Sequence, residues 1–313
     1  MTGIAEYEVG NQYDGFLMVK DVMKSETRNG KPYLRTTLGD STGQVVSMIW
    51  DAGESKEEVF TKGNIVHIKG TVSDYQGTKQ IDIRGYRIAT EDDNVEISDF
   101  LEAAPIVGKT LIKSIAEDVK AIKNKNIKKI TMAILNKYRN EFVVHPAAKG
   151  MHHNYVSGLA FHTYSMVNLA KAICELYTDL NKDLLVAGAI LHDIGKIKEL
   201  SGNVGTEYTL EGMLKGHISI ISEEIKYEAD EHGITGEEVL LLQHMVLSHH
   251  GKGEWGSPVS PQLIEAHVLH QIDMMDAGID MYRKASKGVK QGELTERIFG
   301  LDNKSFYSHG LNN

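Results

Sequence analysis

The chain has 313 residues, 41% hydrophobic and 25% charged, which is material for two globular domains and excludes a disordered or fibrous protein. A net charge of −9 excludes a protein that coats nucleic acid by bulk charge and leaves only local cationic patches for that purpose. One cysteine, Cys174, rules out a disulfide framework within the chain and fits a reducing cytoplasm. Residues 1–15 hold no long apolar run of the signal-peptide kind, and no stretch nears the roughly 20 apolar residues of a membrane span, so no membrane partner is expected.

Residues 1–90 read as β structure. Alternation in Tyr33-Leu34-Arg35-Thr36-Thr37-Leu38 points Leu34, Thr36 and Leu38 inward. It recurs in Ile65-Val66-His67-Ile68-Lys69 and in Gln80-Ile81-Asp82-Ile83-Arg84. Turn residues separate these runs, as in Asn29-Gly30-Lys31-Pro32 and Gln76-Gly77. A short helix, Gly53 to Phe60, follows the third strand. Five strands with a helix after the third fit an OB-fold barrel better than an SH3-like one. Such a barrel binds single strands by stacking bases on aromatics in a cationic groove. The candidates are Lys20, Lys31, Tyr33, Arg35, Lys69, Arg84 and Tyr86; Trp50 reads more readily as core than as a stacking platform.

An acidic linker, 92–98, leads to a helical pattern over 98–140, with isoleucines at helix spacing. Residues 98–140 carry 9 Lys and Arg against 4 Asp and Glu, between two acidic regions. Lys120, Lys123, Lys125, Lys128 and Lys129 are its densest run, either a guide for a phosphate backbone or a solvated helix face. The expected organisation is a barrel over 1–90, a linker and basic helical segment over 91–144, a catalytic helical domain over 145–300 and a loose polar tail over 301–313.

Within that helical domain, Asp183 to Ile194 has almost no polar face, so the helix is buried and Gly195 ends it. It delivers His192-Asp193 into the interior, and a carboxylate buried beside an imidazole needs a partner, most often a divalent ion. His162 lies 30 residues upstream on a helix over Phe161–Tyr177; His217, His249-His250 and Asp273 follow. Helical bundles build metal sites by aiming side chains from several helices at one interior point. Nitrogen and oxygen ligands without thiolate suit Mn, Fe, Co, Ni or Zn. Lys196 adds a cation beside the site or is simply solvated. Asp276 and Asp280 read as supports or solvated groups, and Met274, Met275 and Met281 as core.

The order His162, His192-Asp193, Asp273, with Gly158-Leu159-Ala160-Phe161-His162-Thr163 around the first ligand, resembles the HD-domain metal-dependent phosphohydrolases. His217 and His249 resemble the additions of its two-metal branch. His152-His153 fits the YhaM-type 3′→5′ exoribonucleases, which place an OB-fold before an HD domain. The resemblance spans the chain, specific over 145–280 and architectural over 1–90. It implies two divalent ions, manganese first, with Asp193 shared, His162, His192 and Asp273 on one ion and His217 and His249 on the other. It implies Asp193 and Lys196 as catalytic groups, single-stranded RNA as partner with DNA as a second candidate, and 3′→5′ release of nucleoside 5′-monophosphates. His152 and His153 either face the scissile phosphate or cap a loop. His250 is an outer ligand, a substrate contact or solvated. A homo-oligomer is compatible. The rival readings are a nucleotide or cyclic-nucleotide phosphohydrolase and a non-catalytic DNA-binding regulator.

Overall fold

A computed structural model describes residues 3–27, 29–95, 99–149, 153–202 and 206–311. The chain divides into two compact units, a barrel unit that runs to Ala103 and a helical unit that starts at Ala104.

Five strands build the barrel: β1 (Gln12–Glu26), β2 (Pro32–Gly39), β3 (Gln44–Trp50), β4 (Ile65–Tyr75) and β5 (Thr78–Ile88). Helix α1 (Glu54–Val59) lies between β3 and β4. The strands close in the order β1-β2-β3-β5-β4. Strand β1 is long enough to serve two partners. Its first half pairs with β4 and its second with β2, and a register shift between Val19 and Asp21 marks the bend. Leu34, Thr36 and Leu38 face inward, and Phe60 after α1 is fully buried in the same core. The buried hydroxyls are satisfied: Thr36 donates to the Ser47 carbonyl (3.1 Å) and Ser47 to that of Ile81 (2.8 Å).

The helical unit contains α2 (Gly108–Ala121), α3 (Lys125–Lys137), α4 (Arg139–Val144), α5 (Gly158–Leu176), α6 (Lys182–Leu191), α7 (Lys196–Glu199), α8 (Leu210–Glu231), α9 (Glu237–Ser248) and α10 (Ile264–Ser286). Helix α6 is its axis. Every residue from Leu184 to Leu191 is buried, and α6 packs against α3, α5, α9 and α10. Asn181 starts it by accepting from the Leu184 amide (3.0 Å).

Two boundaries differ from the sequence reading. Helices α2 to α4 are no connector: Ile115, Val119, Ile130 and Phe142 enter the same core as α5 to α10. Their apolar stripe needs a partner, and the other helices supply it. The described part of the expected tail is also structured. Leu294 bridges Tyr307, Ile298 bridges Lys304, and Phe306 packs edge-on against Tyr282 of α10 at 5.6 Å. Among the described residues no helix is long and apolar enough to cross a membrane.

Candidate metal centre

Helix α6 stops at Leu191, earlier than Ile194. His192 keeps helical angles and hands its backbone amide to the Gly188 carbonyl (2.9 Å), so Asp193 is aimed off the buried helix end. Gly195 is not a left-handed cap, with φ −56°. It is needed for space, because a Cβ there would lie 2.2 Å from the His217 carbonyl oxygen. Helix α8 breaks at Gly216 (φ 70°), and the break turns His217 inward. His162 comes from α5, His249 caps α9, and Asp273 comes from α10.

These six side chains converge. His162 Nε2 and His192 Nε2 face each other at 3.2 Å. Asp193 Oδ2 lies 3.3 Å from His192 Nε2 and 3.7 Å from His162 Nε2, and Asp273 Oδ1 lies 3.3 Å from His162 Nε2. The other Asp193 oxygen, Oδ1, lies 3.5 Å from His217 Nε2 and 3.7 Å from His249 Nε2. One carboxylate thus stands between two groups of imidazoles.

The Nδ1 atoms are already committed. His162 donates to Asp276 (2.7 Å), His192 to the Ala189 carbonyl (2.9 Å), His217 to Glu199 (3.0 Å) and His249 to the Val246 carbonyl (2.7 Å). With Nδ1 held this way, the tautomer of each ring that binds an ion is the one whose Nε2 lone pair points inward. Asp193 Oδ1, His217 Nε2 and His249 Nε2 are buried and have no hydrogen-bond partner. Three orphaned acceptors around one point are costly in an apolar interior, and a divalent cation satisfies all three. The donor set therefore fits a metal.

The electrostatics agree. Burial alone would raise the Asp193 carboxyl, but the Lys196 ammonium and the His192 ring hold it well below the usual carboxylate range. Lys196 Nζ is 2.7 Å from Asp193 Oδ2. Asp273 is likewise held low, against burial, by His162. Burial lowers His162, yet Asp273 and Asp276 push it up to about 10, so its proton must leave before an ion binds. Burial, with His250 and His192 nearby, pushes His249 down and keeps it neutral.

His250 reaches the same cluster, its ring centroid 4.3 Å from that of His249 and 5.3 Å from that of His217. Its Nδ1 donates to the Trp255 carbonyl (2.6 Å). His153 instead lies behind His162. Its ring nitrogens meet the Tyr155 hydroxyl (2.6 Å) and Asp276 (2.7 Å), and only 1% of it is exposed, so it supports the ligand helix and does not reach substrate. His152 lies outside the described residues. Glu199 escaped the sequence reading: it binds both the amide and the ring of His217 at 3.0 Å. A cavity of about 190 Å³ opens on the centre, lined by Asp193, Lys196, His250, Trp255, Asp273, Met274 and Ala277. Met274 and Met275, expected in the core, are 41% and 51% exposed.

On the barrel, Tyr33 pairs with Trp50 across β2 and β3, ring centroids 5.3 Å apart, and Trp50 is 54% exposed rather than core. It is the last residue of β3, where alternation sends its side chain outward. Arg35 is exposed two residues from Tyr33 on the same face, and Arg84 is exposed on β5. Lys20 is withdrawn from any exposed groove: it sits at the β1 bend, burial lowers its pKa, and its ammonium donates to the Phe100 carbonyl. Lys31 pairs with Asp51 (3.3 Å) and Lys69 with Asp14 (3.0 Å).

Two family models match, the OB-fold nucleic acid binding domain over residues 18–89 and the HD domain over residues 159–278. The class is therefore an HD-domain hydrolase carrying an N-terminal OB-fold. The chain is 50% identical over 305 residues to the 3′-5′ exoribonuclease YhaM of Listeria monocytogenes serotype 4b, covering 97% of both chains. It is also 50% identical over 305 residues to the protein of that name from Geobacillus sp. (strain WCH70), covering 97% of this chain and 94% of the relative. The chain belongs to the YhaM family of 3′-5′ exoribonucleases.

Proposed function

We propose that this protein is a divalent-metal-dependent 3′→5′ exoribonuclease that shortens single-stranded RNA, and single-stranded DNA more weakly, to nucleoside 5′-monophosphates. The observation that carries the metal dependence is the trio of buried acceptors without partners, Asp193 Oδ1, His217 Nε2 and His249 Nε2. The direction and the RNA substrate are supported by the relatives' names.

His162, His192, Asp193 and Asp273 would hold one ion, and Asp193, His217 and His249 a second, with manganese proposed and Co, Fe, Ni and Zn compatible with the donors. Bound ions would supply Lewis-acid neutralisation of the phosphodiester and lower the pKa of the attacking water. The chain's own groups do the rest. Asp193 stays ionised because Lys196 and His192 surround it. Lys196 lines the cavity and stabilises charge that grows on the phosphate oxygens. His250 lines the same cavity, and burial keeps its ring neutral, so with Nδ1 donating to Trp255 its Nε2 is a lone-pair acceptor suited to an ion or to a hydroxyl of the terminal ribose. The barrel face around Tyr33, Arg35 and Trp50, with Lys31, Lys69 and Arg84 as peripheral cations, binds the strand upstream. The strand-binding module is residues 1–103 and the hydrolase 104–311.

The test uses 3′-labelled and 5′-labelled single-stranded RNA with Mn²⁺, beside Asp193→Ala. Immediate release of labelled mononucleotide from the 3′ label, stepwise shortening of the 5′-labelled strand and loss of both in the variant are expected. Intact RNA alongside hydrolysis of small nucleotides would sink the reading.

A further inference from the structure

Resting on the exonuclease reading, the cavity at the metal centre carries an assignment of its own. Its floor is polar: Asp193, Lys196, His250 and Asp273. Its remaining lining is apolar: Trp255, Met274 and Ala277. Trp255 is 44% exposed and Met274 41%, although both border the most buried polar cluster of the unit. Large side chains left open beside a charged floor suit a ligand with a flat apolar part and an anionic part. A nucleotide has both. At about 190 Å³ the cavity is below the roughly 300–1,000 Å³ of a pocket that encloses a drug-sized molecule, so it takes one base rather than two.

The segment that presents Trp255 is built to hold still. His250 Nδ1 donates to the Trp255 carbonyl (2.6 Å), and the Trp255 and Ser257 amides both donate to the Lys252 carbonyl (3.1 and 3.2 Å). His270 donates to the His249 carbonyl (2.9 Å) and its ring lies 5.9 Å from that of Trp255. Gly251 (φ 79°) admits that ring, since a Cβ there would approach it to 2.6 Å. The same turn therefore fixes His249, His250 and Trp255 together. The Lys252 ammonium lies 4.5 Å from the Trp255 ring centroid and pairs with exposed Glu254 at 3.8 Å. An exposed cation–π contact of that kind is weaker than base–aromatic stacking, so an incoming base displaces it and leaves a cation for the adjoining phosphate.

We propose that Trp255, with Met274 and Ala277 completing the apolar wall, is the slot that stacks the 3′-terminal base and so sets the last phosphodiester over Asp193 and Lys196. Stacking reads no base edge, so the slot accepts all four bases and rejects a terminus without one.

Two single-stranded RNAs that differ only in an abasic 3′-terminal ribose test this. Wild type should favour the complete strand by about tenfold in kcat/KM, mainly through KM, the scale of one base–aromatic stack. Trp255→Ala should level the two strands, and Trp255→Phe should retain most of the preference. A second readout needs no turnover. In Trp50→Phe protein, Trp255 is the only tryptophan, and a phosphorothioate strand with its terminal base should quench its fluorescence more than the abasic strand. Retention of the full preference by Trp255→Ala, or equal quenching by both strands, overturns the slot. Base-dependent quenching without cleavage by wild type supports the slot and sinks the exonuclease reading instead.

Discussion

Glu199 and Asp276 stand outside the proposed ligand set, yet each fixes a ring that belongs to it. Asp276 Oδ2 accepts from both His153 and His162 at 2.7 Å, and Glu199 holds His217 by ring and amide. Groups of this kind change metal affinity by about 10–100-fold when removed. Glu199→Gln and Asp276→Asn are therefore expected to need correspondingly more Mn²⁺ for half-maximal activity and to recover most of their rate at saturating Mn²⁺. A rate that stays depressed at saturation would place these residues in the chemistry itself. His192-Asp193 and Asp273 were legible from their apolar neighbours, whereas the grouping of His162, His217 and His249 with them came from the resemblance to the HD-domain family. Glu199 was not legible, since its partnership depends on the α8 break at Gly216, and one glycine within a helical pattern does not announce a turn. Trp50 was misread for a related reason. Alternation gives its face, but its bulk at a strand end suggested burial.

Among the elements, α7 is four residues long and could not persist alone. It is clamped from outside. Glu224 of α8 pairs with Lys198 of α7 (2.6 Å) and Lys137 of α3 (2.7 Å). Burial would raise the Glu224 carboxyl, but Lys137 and Lys198 bring it down from 4.5 to about 2. The folded state thus binds this proton less readily than the unfolded one. The stabilisation is complete above about pH 4.5 and fades as pH falls toward 2. Glu224→Gln should cost roughly 1–3 kcal/mol at pH 7, reduced by the partial exposure of both lysines, and the difference from wild type should shrink in denaturant titrations at pH 3. An undiminished difference at low pH would show that the loss is packing rather than charge. The α2 to α4 helices were visible as periodic isoleucines, but periodicity does not say which core receives the stripe.

At the scale of the molecule, metal and fold should be linked. The orphaned acceptors at Asp193, His217 and His249 burden the metal-free state, so an ion that binds only the folded form stabilises it. Chelation should lower Tm by about 5–10 °C, from ~2.7 kcal/mol at a hundredfold excess over Kd and ~2–4 °C per kcal/mol for a domain near 200 residues. Calorimetry with and without chelator decides it, and an unchanged Tm removes the argument. The barrel gives a separate expectation. Arg35→Ala with Trp50→Ala should raise KM for long single strands severalfold and soften its salt dependence, while dinucleotide hydrolysis is unchanged. Equal effects on both substrates would deny the barrel its role in holding the strand.

The two-domain order was readable because helical and alternating patterns segregate along the chain. The folding of 294–307 was not, because isolated bridges leave no period in the sequence. Those bridges lie against α10, where Phe306 meets Tyr282 and Leu301 packs over Gly278, and α10 carries Asp273 and Asp276. In genomic terms, a stop codon just past Ser286 would spare every residue that the two family models match, yet strip the brace from the helix that supplies two of its acids. Such a gene would be counted as intact and would encode a protein with a loosened centre.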